Sequence, residues 1–248
     1  MAGHSKFKNI MHRKGAQDKL RAKLFSRLGR EISVAVRIGG SEVDSNIRLR
    51  AAINSARSAN MPKDNIERAI KKGEGNDKDS TYEEVRYEGY GPSGSALIIE
   101  TLTNNKNRTA SEIRTIFSKN GGSLTENGSV SHNFIKLGQI IIDKKNCKEE
   151  ELFNFCIDFG GLIEFEAEEE NFIIFIDLKK YHSLLQKISE KFEPPNLSQI
   201  IWKSNLEVDV DKNDYEKLTK LFNSLEDNED VQSISSNVNN KEEIFKDL

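Results

Sequence analysis

The sequence predicts an α+β protein: an N-terminal helical bundle followed by two ferredoxin-like α/β domains, one inserted in the other. Three observations lead there. Apolar residues recur at helical spacing through about the first 72 residues and alternate thereafter. A polar, Gly/Asn/Asp-rich run over 74–80 separates the two regimes. Beyond Gly138 the elements run strand, helix, strand, strand, helix, strand, a complete βαββαβ unit.

Over 17–38, Leu20, Leu24, Leu28, Ile32 and Val36 recur every four positions with Phe25 beside them, one apolar stripe at about 100° per residue. Gly39 and Gly40 end this helix. A second helix over 46–59 turns Ile47, Ile53 and Ala56 inward and sets Arg50 and Arg57 a heptad apart. Pro62 marks a boundary, and Asp64 with Glu67 has the form of a capping box for a third helix ending at Gly73. After the linker, 84–89 and 96–102 read as strands about the turn 90–94. Thr109 and Glu112 repeat the capping-box pattern for a helix that stops at Gly121-Gly122, and a strand pair occupies 124–135. The βαββαβ block takes 139–143, 147–159, 162–167, 171–177, 180–192 and 198–203. A helix over 214–225 and a strand over 231–238 remain, and they complete the sheet begun before the block. The expected domains are 1–78, 79–136 with 205–248, and 137–204.

A chain of 248 residues can form two or three cores. Hydrophobic residues at 36% and charged residues at 31% match a soluble globular protein. No run reaches the ~18 apolar residues of a membrane span, and residues 1–30 carry no apolar export segment, so the expected location is the cytoplasm. Cys147 and Cys156, on one expected helix, suit neither a disulfide nor a zinc site. The net charge of -3 hides a division. Residues 1–72 hold about 17 Lys and Arg against about 6 Asp and Glu, which leaves the remainder near -14. One end is drawn to polyanions and the other is repelled by them.

The residues expected to meet nucleic acid are His4, Lys6, Phe7, Lys8, His12, Arg13, Lys14, Lys19, Lys23, Arg27 and Arg30, with Arg50, Arg57 and Lys63 as further basic contacts. Lys19, Lys23, Arg30 and Arg37 fall opposite the apolar stripe of the first helix, so docking that stripe displays them outward. Such side chains donate to phosphate oxygens, Arg in bidentate fashion, and Phe7 adds a ring that can stack on a base. Affinity from this segment is expected to be phosphate-driven and steeply salt-dependent. The acidic remainder is expected to stand away from the polyanion or meet a protein partner.

Gly3-His4-Ser5-Lys6, His12-Arg13-Lys14, Asn60-Met61-Pro62-Lys63-Asp64, Tyr87-Glu88-Gly89-Tyr90-Gly91-Pro92, Asn107-Arg108-Thr109, Gly128-Ser129-Val130 and Asp230-Val231-Gln232 together resemble the YebC/PmpR family. The likeness runs from Ala2 to Asn237; Phe7 departs from it, standing where many relatives carry Trp. It implies a helical N-terminal domain and two α/β domains, one interrupting the other. It also implies a regulator of gene expression, described as a DNA-binding transcriptional regulator, with relatives that act as translational activators at the ribosome. Nucleic acid, DNA or ribosomal RNA, is the expected partner. No helix-turn-helix or palindromic-dimer signature is evident.

Other constellations point to no chemistry. Asp209-Val210-Asp211 begins like an EF-hand loop, but its sixth position is Asp214 and its twelfth Lys220. The Gly89–Gly94 stretch lacks the Lys-Ser/Thr ending of a phosphate loop and leads into a strand. Glu164, Glu166 and Glu168 alternate along a strand whose acidic face is expected to be solvated. His4, His12, His132 and His182 are scattered. The expectation is a non-enzyme with no metal, cofactor or small-molecule substrate. A metal-dependent nuclease using the acidic strand, and a scaffold binding an acidic protein, are the rival classes.

Overall fold

The computed structural model describes residues 14–75, 82–239 and 244, with side chains given from residue 21 onward. The fold is α+β, and the chain forms two compact units. One takes the residues up to Phe134 together with those from Ser204 on; the other is Ile135–Lys203.

The first unit opens with three helices, α1 (Lys14–Gly39), α2 (Ile47–Ser58) and α3 (Lys63–Glu74). Ile32, Ala35 and Val36 of α1 bury against Leu49, Ala52, Ile53 and Ala56 of α2 and Ile66 and Ala69 of α3. Ile47, expected inward, is 59% exposed. It stands about 240° around the helix from Ile53, outside the buried arc. Ser33 ties α1 to α3 by donating to the Ala69 carbonyl at 2.8 Å. Asn46 serves two helix ends: its Oδ1 accepts from Leu49 N at 3.0 Å, and its Nδ2 donates to the Ala35 and Gly40 carbonyls at 2.7 and 2.8 Å. Gly40, at φ +83°, makes the turn between them. The capping box read at Asp64 and Glu67 does not form. Pro62 is the N-cap of α3, with its fixed φ of -57° presetting the entry, and Asp64 lies inside the first turn.

A four-stranded sheet follows, in the order β3-β1-β2-β8. Its strands are β1 (Glu83–Tyr90), β2 (Ala96–Thr103), β3 (Ser123–Thr125) and β8 (Val231–Ser236), and all its pairings are antiparallel. Helices α4 (Lys106–Lys119) and α7 (Tyr215–Asp227) bury Ile113, Phe117, Leu218, Leu221 and Leu225 with Leu97 and Ile99 of the sheet. Here too the expected capping box is replaced. Asn105 caps α4 by accepting from Arg108 N at 3.1 Å, and Thr109 lies buried within the helix. The expected strand pair over 124–135 also divides. Ser123–Thr125 pairs with β1, while Phe134 begins β4 (Phe134–Asp143) of the second sheet.

The second unit has sheet order β5-β6-β4-β7, with β5 (Leu162–Ala167), β6 (Asn171–Asp177) and β7 (Leu197–Ser204). Helices α5 (Glu149–Phe159) and α6 (Leu178–Lys191) pack Leu152, Cys156, Leu184 and Ile188 against Ile140, Ile142, Phe172, Ile174 and Ile176. The acidic strand face is not simply solvated. Lys203 reaches Glu164 at 2.6 Å and Glu166 at 3.1 Å while lying 3.8 Å from the centre of the Phe175 ring.

Candidate nucleic-acid interface

The faces of α1 decide which cations are accessible. One side closes the bundle core. On another, Lys23, Arg27, Arg30 and Val34 follow one another at steps of three and four, a single stripe. That stripe meets the acidic end of α7 and the turn after it. Lys23 pairs with Asp227, and Arg27 donates to the Glu226 carbonyl. Burial pushes the Arg27 guanidinium below its ordinary value, against the opposing pull of Glu226 and Asp227. Arg30 Nη1 donates to the Leu102 carbonyl at 3.0 Å, the Glu229 carbonyl at 2.7 Å and Asp230 Oδ1 at 3.0 Å, and its guanidinium lies over the Tyr82 ring.

Asp230 is the centre of this seam. Its Oδ2 accepts from Thr103 Oγ1 at 3.0 Å, Thr109 Oγ1 at 2.6 Å and Arg108 Nη2 at 2.8 Å. Burial alone would raise its pKa. Hydrogen bonds from Thr109, Arg108 and Thr103 outweigh that and hold the carboxylate below the usual range. A charge buried with this many donors is compensated, and removal of any one partner exposes the cost. Lys23, Arg27 and Arg30, expected to meet nucleic acid, are engaged within the chain. The cause is distance in sequence: the acids that take them lie about 200 residues away, beyond any helical spacing rule.

Other expected contacts fall differently. Arg50 is exposed but curls back to the Val43 and Asp44 carbonyls, bracing the α1–α2 loop. Arg57 is exposed, and Lys63, 88% exposed, faces Glu67 at 3.6 Å. Lys14 and Lys19 lie on α1, but their side chains, like all of His4, Lys6, Phe7, Lys8, His12 and Arg13, fall outside what is described.

Sequence reasoning passed over the exposed cations Arg21, Arg68, Lys71 and Lys72. Lys71 and Lys72 close the last turn of α3, where positive charge also suits the helix dipole. Their signal was visible as a Lys-Lys pair one turn beyond Arg68. Arg48 was missed as well, for a structural role: it grips Glu31 at 2.6 Å and Glu84 at 2.5 Å, and the Glu31 hydrogen bond leads in raising its pKa.

The motif residues of the α/β body meet in pairs. Glu88, fully buried, accepts from Val130 N at 2.9 Å and Ser131 N at 3.0 Å, and Tyr90 donates to the Ser129 carbonyl at 3.1 Å. The Tyr87–Pro92 and Gly128–Val130 segments thus build one structural joint. Gly89 is required there because a Cβ would stand 2.6 Å from the Ser123 carbonyl oxygen. Arg108, Thr109 and Asp230 likewise converge in the seam. Among the described residues no group of three His, Cys, Asp or Glu could hold a metal ion, and no helix is long and apolar enough to cross a membrane.

Residues 5–76 match the TACO1/YebC protein N-terminal domain, and residues 82–238 match the TACO1/YebC second and third domain. A probable transcriptional regulatory protein of Zymomonas mobilis is 45% identical over 248 residues, 100% of this chain and 99% of that protein. The crystal structure of a conserved hypothetical protein from Aquifex aeolicus aligns with a TM-score of 0.80 at 41% identity, covering 93% of this chain and 95% of that one.

Proposed function

The chain belongs to the TACO1/YebC family, and from that premise we propose that it is a non-enzymatic, nucleic-acid-binding regulator of gene expression. Transcriptional control through DNA is the leading form, following the name of its Zymomonas relative. The observation that carries the reading is the concentration of about 17 basic residues against about 6 acidic ones in residues 1–72 of a net acidic chain.

In this reading residues 1–78 are the binding domain, 79–136 with 205–248 the split body, and 137–204 the inserted domain. Contacts come from the arm (His4, Lys6, Phe7, Lys8, His12, Arg13, Lys14), from Lys19 and Arg21, and from the exposed Arg57, Lys63, Arg68, Lys71 and Lys72. The seam cations Lys23, Arg27 and Arg30 instead fix the bundle on the body, so that binding energy is delivered to a rigid platform.

The test is to titrate the full chain and its Lys6→Ala/Lys8→Ala/Arg13→Ala/Lys14→Ala variant against duplex DNA and a structured RNA at two salt concentrations. The variant should bind more weakly, with a shallower salt dependence; equal binding by the two proteins refutes the assignment. Tighter binding of the RNA than of the duplex moves the function from transcription to ribosomal RNA and translation.

A further inference from the structure

We propose that the outer face of α4 is a second contact for a phosphodiester backbone, so that the polyanion bound by the helical bundle continues onto the α/β body; this rests on the nucleic-acid reading above. The body as a whole is acidic, near -14 beyond residue 72. α4 is different. Its 14 residues carry Lys106, Arg108, Arg114 and Lys119 against the single acid Glu112, and all five are exposed.

The arrangement suits a phosphate chain. Thr109, Ile113 and Phe117 hold the helix on the sheet. Opposite them the centre of the outer arc is Ser111, Thr115 and Ser118, small side chains that let a backbone approach, flanked by Arg114 on one side and Arg108 and Lys119 on the other. Arg114 and Lys119 make no ion pair among the described residues, and Lys106 begins the helix on the side of Ile113 and Phe117. Glu112 is already engaged, accepting from Asn228 Nδ2 at 2.7 Å and facing Arg108 Nε at 3.9 Å. Arg108 is aimed rather than free: one Nη is pinned by Asp230 while the side chain stays 47% exposed. The same Asp230 holds Arg30 of α1, which places the first turn of α4 beside the bundle.

The equally long α6 is the internal contrast. Three of its four lysines are occupied: Lys180 donates to the Phe159 carbonyl, Lys187 pairs with Glu190 and Lys191 with Glu151.

The experiment measures the salt dependence of binding to duplex DNA and to an RNA hairpin for three full-length proteins: wild type, Arg114→Ala/Lys119→Ala, and the control Lys187→Ala/Lys191→Ala on α6. Each phosphate contact contributes about 0.9 to the slope of log K against log salt for duplex DNA and about 0.7 for single strands. The α4 variant should therefore be shallower by about 1.4 to 1.8, and the α6 variant unchanged. An α4 variant with the wild-type slope, or equal changes in both variants, overturns the α4 contact and leaves the proposed function standing. A wild type that binds neither nucleic acid overturns both. The nucleic acid on which the difference is larger identifies the backbone that α4 meets.

Discussion

Replacing Asp230 by Asn removes one negative charge from a carboxylate that answers two guanidiniums and two hydroxyls. The size of the effect follows from who is left behind. Arg30 is 12% exposed in its side chain and Asp230 5%, so their pair is a buried one. Breaking such a pair from one side costs about 3–5 kcal/mol. Arg30 keeps the Leu102 and Glu229 carbonyls as acceptors, which places the change at the lower end, about 3 kcal/mol. Arg108 is half exposed, and water takes over its lost partner for under about 1 kcal/mol. For a chain of this size about 3 kcal/mol lowers the melting midpoint by about 6–12 °C. Thermal unfolding followed by far-UV circular dichroism reads this directly, with Arg108→Ala as the comparison. Arg108→Ala leaves the buried carboxylate one donor short but still held by Arg30, Thr103 and Thr109, so the order must be wild type highest, Arg108→Ala below it and Asp230→Asn lowest. An Asp230→Asn protein that melts with wild type, or an Arg108→Ala that falls further than it, refutes the reasoning. The pH dependence gives a second reading. The folded-state pKa of Asp230 is below its ordinary 3.8, so its contribution is full above that value and is lost as pH falls through the lower folded value. The variant should show a weaker loss of stability on acidification over that range.

Glu226 behaves in the opposite sense. Burial holds it above the usual carboxylate range, against the pull of Arg27, so the folded state loses stability as pH rises from the ordinary 4.5 through the raised value. Glu226→Gln should be the more stable protein at neutral pH, with the advantage gone below 4.5, as urea titrations at several pH values would record. Gly89→Ala sets a methyl 2.6 Å from a backbone oxygen and 2.7 Å from the Phe117 ring, and should cost about 2 kcal/mol or more in a urea midpoint. Burial pushes the Cys156 thiol up to about 12, so a thiol reagent at pH 8 should modify it only as fast as the unit opens, and freely in urea. Immediate labelling of both cysteines in the native protein would contradict that packing.

Much of this architecture was legible in the sequence because it rests on local period. Leu162–Ala167 and Asn171–Asp177 stand where alternation put them, and Ile32 and Val36 lie in the core that the stripe of α1 required. What depends on one-residue geometry was read less well. Asp64 and Thr109 each head an S/T/D-x-x-E pattern, yet Pro62 and Asn105 hold the cap positions, because a pattern cannot say which polar residue leaves the helical φ/ψ first. The site was the harder part. Charge segregation marked residues 1–72 as the basic end, but no local rule could foresee that Glu226, Asp227 and Asp230 would take the cations of α1. The same blindness hid α4: averaged into an acidic body, its cationic face showed only once Thr109, Ile113 and Phe117 fixed which side turns outward.

The claim that this chain binds nucleic acid through its basic face is tested most directly by ultraviolet crosslinking in cells, with mass spectrometry of the adducted peptides. The account predicts nucleotide adducts on peptides from residues 1–72 and from α4, and none on the buried stripe Arg27 and Arg30. Adducts confined to the inserted unit Ile135–Lys203, or no adducts on a protein recovered in good yield, would contradict it.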